Sequence, residues 1–287
     1  MRSSVLAVLL FVGGCAVDVG ASPDAPTESG ASALEGTVGV LEIDRRVEDD
    51  GALLTAAFAR YQGMQEQDVV SLVSSGARAD LDTCTMVDGD VRLPLDADVE
   101  LVDVGAIDVR LENDGIATAA APLMMARTFP DVASVMAGVF YAGEAQLPLP
   151  QADRDAYVVR ASGGPDVGSF RVAVAAPADV AMLVYGDEDG RIARDRSLDF
   201  SWVPGGEEGQ APDVIELELA SRGGTLVCTA ADDGAFRIDP ATLSRLAIDQ
   251  DADLVVRRVR VRAFAAAGLD SAFARVAITR SERVSIH

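Results

Sequence analysis

Histidine is nearly absent from this chain: the single one is His287, the last residue. Without a histidine inside the fold no Ser-His or Cys-His catalytic pair can be assembled, and zinc sites that depend on imidazole are excluded as well. Hydrolytic chemistry would have to come from carboxylates alone. Lysine is missing altogether, so all 24 basic residues are arginine, set against 46 acidic ones. The net charge of −22 and a pI near 4.3 repel nucleic acid and anionic lipid alike, and neither is expected as a partner. Aromatics make up only 5% of the residues, which leaves little material for a sugar-stacking cleft.

The opening residues are of a different kind from the rest. Arg2 gives a short positive region and Val5 to Val12 an uninterrupted apolar run, well short of the roughly 20 residues that span a bilayer. This is the layout of a secretion signal. Val12-Gly13-Gly14-Cys15 resembles the lipobox of bacterial lipoproteins, in which small residues precede a cysteine that is acylated and becomes the mature N-terminus. The resemblance implies a signal peptide over 1–14, lipidation of Cys15 and membrane attachment without a spanning helix. Ala16, in place of Asp, implies transfer to the outer membrane. Residues 15–36 are rich in Ser, Pro, Gly, Ala and acids with no apolar period, so they read as a flexible tether. With Cys15 assigned, Cys84 and Cys228 remain. They fall in separate domains by the division below, and two buried reduced thiols are expected rather than a bridge.

From Thr37 onward, short alternating or β-branched runs are separated by Gly, Asp and Pro at spacings of roughly 8 to 12 residues, the pattern of sandwiches and barrels. Leu53 to Tyr61, Leu81 to Val87, Val99 to Leu111, Val139 to Leu149, Ala156 to Ala161 and Gly168 to Ala175 continue it. Gln67 to Ser75 and Ala120 to Met125 are ambiguous. The segment Gly163 to Gly168 invites a phosphate-loop reading, but a strand follows it instead of a helix, so it reads as a wide hairpin connection. Ala176-Pro177-Ala178-Asp179 punctuates that hairpin, and a second set of strands follows. Asp239 caps a predicted helical turn beginning at Pro240. A chain of 287 residues exceeds the size at which single cores stop growing, roughly 250 residues. The expected fold is therefore all-β, two tandem β-sandwich domains over 37–178 and 179–287 behind the signal and tether.

The second domain is organised around Ser197 to Gly206. Alternation sends Leu198, Phe200 and Trp202 to one face and Asp199 and Ser201 to the other, and Pro204-Gly205-Gly206 ends the strand. Trp202, Phe200, Phe170 and Phe236 are the expected aromatic core. Ser197 to Pro204 resembles the second strand of a fibronectin type III or immunoglobulin-like module, whose buried Trp anchors the sandwich. Val259 to Phe264, followed by Gly268 and Ser271, resembles the later strand and turn of the same modules. The combination of Asp103 to Ala106, Gly163 to Phe170, the Trp202 strand, and Val227-Cys228 ahead of Asp232 to Phe236 resembles uncharacterised secreted lipoproteins of myxobacterial-type genomes. That resemblance carries no activity with it.

Asp187-Glu188-Asp189-Gly190-Arg191-Ile192 matches the middle of a calcium loop, with Tyr185 and Arg196 breaking the match at its ends. Asp187 and Asp189 are the best metal candidates, with Asp249, Asp251 and Asp253 and the loop at Asp232-Asp233-Gly234 behind them. At each of these a turn or solvated loop charge is the commoner explanation. Arg258, Arg260 and Arg262 share one face of a strand, and internal balancing of the acidic charge is the favoured reading. Taken together, these features predict a lipid-anchored, non-catalytic envelope protein that binds or spaces an envelope protein or glycan. A calcium-dependent polysaccharide-binding module and, behind it, a carboxylate-only glycoside hydrolase are the alternatives.

Overall fold

The first described strand is apolar on both faces, and that decides how the sheet must sit. Leu41 and Ile43 point one way and Val38 and Val40 the other, all buried, so layers must cover both sides. The computed structural model describes residues 35–287 except 49, 75–78, 88–96, 122–123, 133–135, 153, 186–190 and 206–212. Cys15, Asp187 and Asp189 lie outside the described residues, as do the signal segment and nearly all of the tether.

The chain begins with β1 (Glu35–Arg46), β2 (Gly51–Gln62), α1 (Glu66–Val73), β3 (Thr83–Val87) and β4 (Asp98–Leu101). Then come β5 (Ile107–Asn113), β6 (Ile116–Ala120), β7 (Met125–Val132), β8 (Met136–Gln146), β9 (Asp155–Ala161) and β10 (Phe170–Ala175). The second half holds β11 (Met182–Tyr185), β12 (Arg191–Ile192), β13 (Leu198–Trp202), β14 (Val214–Ser221), β15 (Gly224–Ala231) and β16 (Ala235–Ile238). It closes with α2 (Pro240–Leu243), β17 (Asp249–Ala263) and β18 (Ser271–Ile286). The fold is all-β, and its sheets do not close into a barrel.

One ten-stranded sheet runs β15-β14-β17-β18-β1-β2-β4-β8-β7, with β12 beside β18. A four-stranded sheet, β10-β9-β5-β6, covers its first half, and a three-stranded sheet, β11-β13-β16, covers its second. Two main cores result. One holds Leu54, Phe58, Tyr141, Tyr157 and Phe170, and its chain-order last member before β18 is Ala176. The other starts at Val180 and holds Phe200 and Trp202, with Phe236 half-buried against it. The expected junction at 178/179 thus marks a change of core but no break in the sheet. The parallel pairing of β1 with β18, Val38 opposite Ser271 through Arg46 opposite Thr279, carries the sheet across it. Residues 33–287 form one compact unit.

Three local readings change. The run Val99 to Leu111 is two strands, because the chain leaves the large sheet after β4 and enters the four-stranded sheet at β5. Gly105 makes the corner at φ 75°, where a Cβ would sit 2.4 Å from the Gly163 carbonyl oxygen. Asp103 holds that corner by accepting from the Gly105 N–H and the Tyr141 hydroxyl, and these bonds keep its carboxyl below the usual carboxylate range. The ambiguous stretch at Gln67 is α1, which buries Val69 and Val70 over the outer face of β1 and β2.

The third change concerns the cysteines. Cys84 and Cys228 are a disulfide, not two thiols. The strand at Leu81 to Val87 does not join the first sandwich: Leu81 pairs with Thr229, and Cys84 and Met86 pack on the Trp202 core. So β3 crosses to β15, and the two sulfurs meet on one core.

A polar pair interrupts the first core. Arg45 is fully buried and pairs with Asp50, Nη2 to Oδ1 at 2.7 Å, while among the described residues its Nε and Nη1 lack hydrogen-bond partners. The Tyr157 hydroxyl, also buried and without a partner, sits in the field of that guanidinium. Tyr157→Phe removes an unsatisfied group while keeping the ring, so it is expected to stabilise by about 1 kcal/mol, or roughly 2–4 °C in Tm. Thermal unfolding followed by circular dichroism reads this. A fall in Tm would show that ordered water satisfies the hydroxyl.

Candidate functional site

The stretches singled out by charge fall into two groups. The arginine strand is internal. Along β17 the buried face runs Ala252, Leu254, Val256 and then Arg258 and Arg260, so the arginines continue the core face instead of opposing it. Arg258 Nη2 donates to the Val203 carbonyl at 2.5 Å and to Asp232 Oδ1 at 3.2 Å, and Nη1 to the Asp179 carbonyl at 3.0 Å. Arg260 makes a two-pronged pair with Asp213, at 2.7 and 2.9 Å, and Arg262 donates to the Ala173 carbonyl at 2.7 Å. Beside them Arg275 pairs with Glu216, and Arg257 with Glu218 at 2.8 Å. The strand therefore clamps the segment between the two cores.

Asp232, expected at a solvated loop tip, is instead buried within this clamp. It accepts from Trp202 Nε1 at 2.7 Å and from the Gly205 N–H at 2.9 Å. Asp249 accepts from the Arg222 N–H, and Asp253 pairs with Arg283, so the acidic run in β17 is bound up with arginine too. Among the described residues no three metal-type ligands converge.

The second group is a cleft that no motif announced, at the end of the large sheet where β1 starts and β2 finishes. Antiparallel register sets Glu35 opposite Gln62 and Gly36 opposite Tyr61. On the far side of β2, Asp98 faces Gln62 and Glu100 faces Arg60. Asp270, just before β18, accepts from the Thr37 N–H at 2.8 Å while its own N–H donates to the Thr37 carbonyl at 2.9 Å. Glu66, first residue of α1, accepts from the Ser271 hydroxyl at 2.7 Å. These elements enclose a cleft of about 650 Å³.

Arg60 is the only basic group lining it, and Glu100 and Asp166 hold that guanidinium at 2.8 and 2.9 Å. Among the described residues Glu35, Glu66, Asp98 and Asp270 make no ion pair; Glu66 is half-buried and the other three are exposed. At the floor lies Tyr61, last of the Ala57, Ala59, Tyr61 face and 4% exposed. Its ring fits over Gly36, where a Cβ would lie 2.9 Å from the hydroxyl oxygen and 3.2 Å from Asp270 Oδ2. Burial first, then the charges of Glu66 and Asp270, raise the phenol above its ordinary value, so it stays protonated at neutral pH. Its hydroxyl has no hydrogen-bond partner among the described residues.

The chain matches no family model and no curated protein.

What the cleft can do follows from its groups alone. Four carboxylates, two on strands, one opening α1 and one just before β18, focus negative potential in a concave site and raise the local concentration of cations. A neutral phenol held by packing adds a donor and an acceptor at fixed position. The residues come from five places in the chain, which is why no spacing revealed them. Tyr61 read only as the end of an alternating core face.

Proposed function

We propose that this chain is a lipid-anchored, non-catalytic binding module of the cell envelope, with the acid-lined cleft at the β1–β2 end as its contact site. The observation that carries this reading is the cleft itself: a concave face at the end of the ten-stranded sheet, lined by four carboxylates that make no ion pair among the described residues. The disulfide supports residence in an oxidising compartment. The segment Val12 to Cys15 supports an acylated N-terminus. An anchor would confine the cleft to a thin shell at the membrane and so raise its effective concentration toward neighbouring envelope proteins or glycans.

The second sandwich is read as a fibronectin III-like or immunoglobulin-like spacer. Leaving out the two-residue β12, its strands taken in chain order form one sheet from the first, second and fifth, and extend the other with the fourth, third, sixth and seventh. Trp202, in the central strand of the smaller sheet and 6% exposed, supports this reading. Calcium-dependent glycan binding rests on Asp187 and Asp189, which lie outside the described residues.

Two measurements test the proposal. Cys15→Ala is expected to move the protein from the membrane fraction to the soluble one, and unchanged retention would sink the anchor. Cross-linking of the tagged full-length protein in its own cells is expected to capture a specific envelope component, lost on charge reversal at Glu66 and Asp98. Capture of abundant neighbours only, unchanged by those substitutions, would reduce the chain to a structural spacer.

A further inference from the structure

We propose that the cleft takes an organic cation, a ligand presenting an alkylammonium or guanidinium group to Tyr61, Glu66 and Asp270. This deepens the binding-module reading and rests on it. Three features select that chemistry. The first is charge: among the described residues four carboxylates without ion pairs line one concavity, and the one arginine there is already neutralised by Glu100 and Asp166. An anionic ligand is repelled there, and a neutral one leaves the carboxylates uncompensated.

The second is the phenol. The Tyr61 ring is more than nine-tenths buried and lines the cleft, and its hydroxyl has no hydrogen-bond partner among the described residues. The hydroxyl opens on the cleft with its donor and acceptor capacity unused by the described residues, so it is available to a ligand held there. A protonated phenol accepts from an N–H through its lone pairs and donates its own hydrogen to a carboxylate, which suits an ammonium placed between it and Glu66 or Asp270. The ring is locked by the surrounding core of Val38, Val40 and Val99, so little side-chain freedom is lost on binding.

The third is spacing. A bare calcium ion needs about six to eight oxygens at close range. Among the described residues no three metal-type ligands converge, whereas carboxylates spread over about 650 Å³ suit a cation of extended shape. One end would sit at Glu66 and Asp270 and another near Glu35 and Asp98. Two sources share this chemistry, a free polyamine and the basic side chains of a peptide.

The test is calorimetric titration of the full-length protein in a non-ionic detergent with three probes: spermidine, an acetylated and amidated Ala-Lys-Ala-Lys-Ala peptide, and calcium chloride. Saturable binding of spermidine or of the peptide is expected, weakening steeply between roughly 20 and 200 mM salt. Whichever binds more tightly names the source. Tyr61→Phe should weaken that binding about tenfold without lowering Tm, because the hydroxyl it removes has no partner among the described residues. Glu66→Gln should weaken it by a similar factor, and Glu144→Gln, an equal change of charge on an exposed position outside the cleft, should leave it unchanged.

Four results would overturn the proposal: no saturable binding of either organic cation at low salt, no effect of Tyr61→Phe, equal weakening by the Glu66 and Glu144 variants, or tighter binding of calcium than of both organic probes. If the titrations fail while cross-linking still captures a specific partner, the ligand class falls and the binding-module reading stands.

Discussion

Replacing Cys84 and Cys228 together by alanine is expected to lower the unfolding free energy by about 5 kcal/mol. The bond closes a loop with a sequence separation of 144 residues, and chain-entropy arguments give long loops the greatest effect. It also fastens β3 to the edge strand β15, where Leu81 makes only an isolated bridge to Thr229. Urea unfolding monitored through Trp202 fluorescence checks this, since Trp202 lies in the same core as Cys228. The same shift in midpoint should appear when the unaltered protein is unfolded with excess dithiothreitol. An unchanged midpoint in reductant would show that the cross-link is not made in solution. The size of the effect bears on residence, because a fold that leans this heavily on a disulfide is suited to an oxidising compartment.

Asp232→Ala is expected to cost about 3–5 kcal/mol, nearly as much, through a different cause. The side chains of Arg258 and Asp232 are 1% and 2% exposed. Removing the carboxylate strands a guanidinium in the interior and takes the partner from Trp202 Nε1 and the Gly205 N–H as well. The double variant Arg258→Met with Asp232→Leu should cost less than Asp232→Ala alone, because it buries no orphaned charge. Chemical denaturation of the single and double variants measures the coupling. A double variant as unstable as the sum of its parts would mean that Arg258 stabilises mainly by holding the Val203 and Asp179 carbonyls and not by pairing with Asp232.

Much of this molecule is written in short-range pattern. The period-2 alternation at Leu198, Phe200 and Trp202 assigns three side chains to a core, and the structure buries all three. Asp239 and Pro240 announce α2, where the Asp239 carboxylate accepts from the Thr242 N–H at 2.9 Å. Punctuation by Gly, Pro and Asp locates most strands, although it missed β6 and β12, left β7 ambiguous and merged β4 with β5. These signals are legible because each depends on neighbours one to four residues away. Composition alone does not place the one histidine: the structure ties His287 to Ile192 through its backbone N–H and sets its Nε2 3.3 Å from the Ser285 hydroxyl oxygen, a neighbour that the expectation of no Ser-His pair did not foresee.

Other features depend on which strand lies beside which, and alternation is silent on that. It gives Arg258, Arg260 and Arg262 one shared face but not whether the face meets water. Only the arrival of the three-stranded sheet and the 173–179 segment buries the first two and turns the face into a clamp. Cys84 could be placed on a strand from its neighbours, yet nothing local says that the strand crosses to the second core. The cleft is the extreme case, since Glu35, Tyr61, Glu66, Asp98 and Asp270 share no spacing. The sequence by itself determined the class of fold and the faces of its strands. Tertiary structure alone decided the disulfide, the buried arginine pairs and the acidic cleft, because each is made by strand order and register, which bring together residues that are far apart in the chain.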